Sequence, residues 1–260
     1  MLSLSAAPDW DLDPAGSLSG RILSLYERLR VQRDLAPSPL VNRLFADLVS
    51  ACLHPDAEGI ASVLSDPRID GVRSDLIRMC ARGESLLEEA WARRVLAAAD
   101  PGAQTAAFPY FGNYEELARL ELHALAGAGH RPETARRLCF VGGGPLPLSA
   151  VLLCHALGVH VTVVDRDREA VELSRRLVDR LMPAQRISVL VADAASPDDM
   201  ARAVADCDVV VVAALVGTTR AQKRAALRAI GMSVEPGTHV VIRSADGLRS
   251  LPPANRPHRR

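Results

Sequence analysis

The chain has 260 residues, enough for one large or two smaller domains, and its 31 acidic and 31 basic residues leave no net charge. That balance excludes a global field drawing it to nucleic acid or an anionic membrane, and apolar runs as short as CDVVVVAALVG exclude a bilayer-spanning helix. Five scattered cysteines without a CxxC pair, and seven histidines without HxxxH or HExxH spacing, point to free thiols in a reducing cytoplasm and to no metal site.

The first segment, MLSLSAAPDWDLDPAG, has neither a basic n-region nor a long apolar h-region, so no secretory signal is expected there. Up to about residue 132, apolar residues recur at three- and four-residue intervals. The stretches 19–32, 38–53, 70–98 and 113–129 are predicted helices, joined by Pro- and Gly-bearing connectors at 36–39, 64–70 and 99–112. Beyond GHRPETARR the period changes. Short β-branched runs at 138–141, 160–165, 187–193, 208–215 and 238–244 alternate with helix-length segments, the pattern of a parallel sheet covered on both faces. The predicted architecture is α/β: an all-helical N-terminal domain, 1–132, before a Rossmann-like, doubly wound domain, 133–260. Its ligand is expected at the carboxyl ends of the strands near the switch point.

The first strand feeds a glycine cluster, FVGGGPLPLSAVLL (140–153). Gly142, Gly143 and Gly144 permit positive φ and close approach of a ligand to backbone amides. The loop lacks G-x-G-x-x-G spacing, and Pro145 and Pro147 stand where a pyrophosphate-binding helix would begin, so a ligand without phosphate suits it better than NAD. The second strand ends at Asp165, where a carboxylate can accept ribose hydroxyls, and the third ends at Asp193 and Ala194. Together these resemble the S-adenosylmethionine (SAM) site of Rossmann-like methyltransferases. The alternative is that both acids cap the helices that follow them.

Four stretches make the resemblance specific: SPLVNRLFADLVSACL (38–53), FPYFGNYEELARLELHAL (108–125), FVGGGPLPLSAVLL (140–153) and the segment 209–250 from VVVVAALVG to SADGLRS. In this order they resemble the nicotianamine synthase-like aminobutanoyltransferases, most nearly the microbial members that join one SAM-derived arm to histidine for staphylopine-type metallophores. The resemblance implies that SAM is a co-substrate whose 3-amino-3-carboxypropyl arm is moved to an amine, with release of methylthioadenosine. All three sulfonium carbons are electrophilic, so the group transferred is decided by which carbon faces the nucleophile in line.

An attacking amine is largely protonated at neutral pH and needs a base. Glu84 and Glu88, four apart in GESLLEEAW, share a helical face that by itself reads as solvated; the resemblance implies that they serve the acceptor. It also directs attention to Tyr110, Asn113 and Tyr114, placed in a constrained loop beside Pro109 and Gly112, as contacts to the amine or as packing between domains. Ala214, Leu215 and Val216 after the fourth strand are expected to line the cofactor. Lys223, the sole lysine, is either structural or catalytic, and Arg243 grips a substrate carboxylate or forms a structural ion pair. The chain departs from the family pattern at Phe111 and Asp246. The expected partners are a small-molecule amino-acid acceptor, histidine, and at most a second copy in a homodimer; neither nucleic acid nor membrane is expected.

Overall fold

The computed structural model describes residues 17–53, 57–130, 136–182 and 186–244. The expected boundary at 132/133, and Asp246, lie outside them. Helices α1 (Leu18–Arg30), α2 (Pro39–Leu53), α3 (Ala57–Ser65) and the first half of α4 (Pro67–Ala97) enclose one apolar core, with Ile22, Leu29, Leu44, Leu48, Val63, Ile69 and Leu76 at its centre. The sequence pattern placed a connector at 64–70. Instead, Pro67 takes the first helical position and the Asp66 side chain accepts the Arg68 N–H, so the same proline that would break a helix starts this one. Likewise Asp100 caps the short α5 (Pro101–Ala106) within the expected 99–112 connector.

The strands β1 (Arg137–Val141), β2 (His160–Asp165), β3 (Ile187–Val191), β4 (Val209–Val212) and β5 (His239–Ile242) form a parallel sheet in the order β3-β2-β1-β4-β5. The Rossmann-like arrangement expected from the alternating pattern is therefore present. The chain runs outward from β1 through β2 to β3 and then returns to β4 on the other side of β1, which makes the β1–β4 gap the switch point. One sheet face packs Phe140, Val163 and Val211 against α7 (Leu148–Leu157) and α8 (Arg168–Leu181). The other packs Val141, Val210 and Val212 against α9 (Pro197–Ala203) and α10 (Arg220–Ser233).

Two helices from the N-terminal half reach this sheet. Ala118 and Leu125 of α6 (Phe111–Gly127) share the core of the Phe140 face. The 31 residues of α4 run about 45 Å, long enough to carry its second half out of the helical core. There Leu87, Ala92 and Val95 meet Leu148 of α7 and Leu173 and Leu177 of α8. Burying the leucine and valine side chains at roughly 1.5–3 kcal/mol each fixes α4 beside the loop after β1.

Candidate active site

A cavity of about 500 Å³ opens over the carboxyl ends of β1, β2 and β4. The loop after β1 forms its wall, but not as a phosphate cradle. The N–H groups of Gly142 and Gly143 both donate to the Val164 carbonyl, at 2.8 and 3.2 Å, and the Gly144 N–H donates to Asp165 Oδ2 at 2.9 Å. Pro145 and Pro147 have no N–H to offer. The glycine amides expected to face a ligand are thus engaged by β2. What demands glycine is close approach: a Cβ at Gly142 (φ +86°) would lie 2.5 Å from Val216, and one at Gly144 (φ +62°) would lie 2.8 Å from Glu88 Oε2.

Asp165 and Asp193 both line the cavity. Neither caps a helix. Asp167 supplies the cap of α8, accepting from Glu169 and Ala170, and Ser196 caps α9. Asp165 instead braces the loop, with Oδ1 accepting the Asp167 N–H at 3.0 Å while Oδ2 holds Gly144; Asp193 Oδ1 accepts from Ala195. Each carboxylate keeps lone pairs for a ligand hydroxyl or amine. Ala194 and the edge Ala214, Leu215 and Val216 complete this side. Lys223 fastens that edge: its Nζ donates to the Ala214 carbonyl at 2.7 Å, and burial holds the ammonium below the usual lysine range.

The opposite wall comes from α4 and α6. Glu84 is buried, Glu88 half-buried, and both line the cavity with Tyr114. Tyr114 lies in the first turn of α6, not in a loop, and its Oη donates to Glu88 Oε1 at 2.8 Å. Burial, reinforced by the neighbouring Glu84 charge, raises the Glu88 carboxyl well above the usual carboxylate range, against the Tyr114 hydrogen bond. Burial and Glu88 likewise raise the Tyr114 phenol. Tyr110 and Asn113 are not brought to the cavity. Tyr110 sits at the N-cap of α6 with its ring edge-on to Phe108, which also touches Trp91 and Tyr114.

Arg243, just past β5, also lines the cavity. Its Nε and Nη2 are paired with the two carboxylate oxygens of Glu121 at 2.6 and 3.1 Å, both side chains being almost fully buried. The ion pair expected for Arg243 is formed, and it engages two of the five guanidinium N–H donors. Glu121 escaped the sequence reading, although its position, seven residues after Tyr114 with Ala118 between them, marks it as lying on the same buried helical face.

The family model described as nicotianamine synthase protein matches residues 15–252. The chain belongs to the nicotianamine synthase family. It is 37% identical to nicotianamine synthase 9 of Hordeum vulgare over 239 residues, covering 90% of this chain and 68% of that protein. Nicotianamine synthase of Solanum lycopersicum is 32% identical, with coverages of 89% and 72%. Among solved structures, MtNAS in complex with MTA and tNA superposes with a TM-score of 0.74 at 27% identity, covering 96% of this chain and 88% of that one. A mutant of MtNAS in complex with S-adenosylmethionine gives 0.72 at 25% identity. The nicotianamine synthase fold therefore extends over both the helical half and the sheet of this chain.

Proposed function

We propose that this chain transfers the 3-amino-3-carboxypropyl arm of SAM to the amine of an amino acid, histidine, and releases methylthioadenosine, in the making of a nicotianamine- or staphylopine-like metallophore. The observation that carries this reading is the meeting of two sets of groups. Glu88, hydrogen-bonded to Tyr114, stands directly against Gly144 in the loop held by Asp165. A carboxylate suited to serve as the acceptor's base and the loop held by Asp165 thus line one cavity. The complexes of MtNAS with S-adenosylmethionine and with MTA and tNA support the same co-substrate and product.

In this reading Asp165 accepts the ribose hydroxyls, Asp193 and Ala194 meet the adenine, and the Ala214–Val216 edge packs beside it. The sulfonium of SAM is cationic, which suits a cavity lined by Glu84, Glu88, Asp165 and Asp193 in which Arg243 is paired with Glu121. The acceptor nitrogen attacks the γ-carbon of the arm. The carbon–sulfur bond breaks, its electron pair stays on sulfur to give the neutral thioether, and the amine proton passes to Glu88. A carboxylate with raised proton affinity is a stronger base for an amine, while Tyr114 fixes Oε1 and leaves Oε2 for the transfer. Arg243, with donors beyond those held by Glu121, meets the carboxylate of the acceptor.

A second reading, SAM as its own acceptor in nicotianamine synthesis proper, is favoured by the names of the plant relatives. Mass spectrometry of products from SAM with an amino-acid panel, including both enantiomers of histidine, separates the two. An adduct of one aminobutanoyl unit on histidine, with methylthioadenosine, is expected. Products containing only SAM-derived units would assign the second reading, and S-adenosylhomocysteine alone would overturn both.

A further inference from the structure

Glu121 is 3% exposed and does not line the cavity, yet both its carboxylate oxygens go to one cavity residue, Arg243. A buried ion pair contributes little net stability compared with apolar side chains of the same volume, so its presence calls for another account. Its location supplies one. Tyr114, Ala118, Glu121 and Leu125 are the buried positions along one face of α6. Glu121 ties that face to the carboxyl end of β5, and the guanidinium is also stacked over Phe140 of β1, with Cζ 5.0 Å from the ring centroid. The fork fixes the guanidinium plane, since two donors are taken in bidentate geometry and three remain.

We propose that Glu121 is a positioning residue for the transfer reaction: through its bidentate pair it sets the place and effective charge of Arg243 opposite the Glu88–Tyr114 couple. This rests on the aminobutanoyl-transfer reading. The groups that act on Glu88 come from four elements: Glu84 of its own helix, Tyr114 of α6, Asp165 at the end of β2 and Arg243 beyond β5. Arg243 is the positive member, opposing the rise in proton affinity at both Glu88 and Tyr114. Glu121 offsets that positive charge. Without Glu121 the full charge of Arg243 acts on Glu88, whose proton is then lost at lower pH.

The test is the pH dependence of kcat/KM for methylthioadenosine release in the full chain. Glu121→Gln should move the acidic limb down by about half a unit or more, and Arg243→Gln, which removes the positive charge acting on Glu88, should move it up. The double variant should bring the limb back toward the parent position. A purely structural pair would lower the thermal midpoint in all three while leaving the limb in place, and that outcome, or shifts of the same sign in both single variants, overturns the proposal. If Glu121→Gln does not fold, Glu121→Asp reads the same feature: the parent limb with kcat reduced about tenfold supports positioning, and parent kcat overturns it. Absence of methylthioadenosine with the parent chain would overturn the transfer reading itself, whereas unshifted limbs in active variants would overturn only the role of Glu121.

Discussion

Tyr114 Oη donates to Glu88 Oε1 at 2.8 Å across 26 positions of sequence, and this bond joins α6 to α4 at the cavity wall. One partner is a carboxyl raised by burial and by Glu84, the other a phenol raised by burial and by Glu88. Each therefore favours its protonated form, and the pair loses a proton only against a cost in the folded state.

Glu88→Gln should lower kcat by about 10²–10⁴ while leaving SAM affinity nearly unchanged, because a general base acts on the amine and not on the cofactor. Steady-state rates combined with calorimetric SAM titration check this. Equal losses in both would show that Glu88 serves the cofactor. The same expectation holds for Glu84→Gln, with a smaller loss, since Glu84 raises the proton affinity of Glu88 from one turn away.

Stability should depend on pH through the same carboxyl. A carboxyl whose folded-state pKa lies above its unfolded value favours folding when protonated, and that contribution is lost as pH rises from the unfolded value through the folded one. Glu88→Gln should therefore raise the thermal midpoint relative to the parent more at pH 8 than at pH 5. The difference should be about 2–4 °C for each kcal/mol of burial cost removed. Thermal scans at the two pH values, with a midpoint difference that does not grow, would contradict it.

Asp165→Ala should weaken SAM and methylthioadenosine alike, by about 10–100-fold, since it removes both the hydroxyl acceptor and the brace on Gly144. A loss confined to SAM would place Asp165 near the amino-acid arm instead.

Lys223→Met should also weaken both ligands, by about tenfold, because the Ala214 carbonyl loses its 2.7 Å partner and the edge beneath the ligand loosens. Parallel titrations of SAM and methylthioadenosine read this directly; unchanged affinity for both would show that the Lys223 contact does not shape the site.

Much of the sheet was legible because a buried parallel strand leaves a dense β-branched run, as in HVTVVD and DVVVV, whose period differs plainly from the helices between. Helix starts were misread where proline served as the first helical residue, at Pro67 and Pro101. There the deciding signal was the aspartate one residue earlier. The carboxylates lining the cavity could be named from strand ends and helical spacing. Tyr110 and Asn113 could not be separated from Tyr114 in the same way: Asn113 is adjacent to Tyr114 and points elsewhere within one turn, and Tyr110, at helical spacing from it, is the N-cap outside the helical repeat. Glu121 was hidden for a different reason. A buried charge looks like a surface charge in sequence until its partner is known, and Arg243 is 122 positions away.

The inward-turned amides of the Gly142–Gly144 loop have a consequence for competition among ligands. Nucleotides carry their charge as phosphate, and here the loop's glycine donors are occupied while the cavity is ringed by carboxylates. A phosphate at this loop meets no unengaged glycine N–H and has the Asp165 and Asp193 carboxylates nearby, so nucleoside triphosphates are expected to bind more weakly than SAM although they carry the same adenosine.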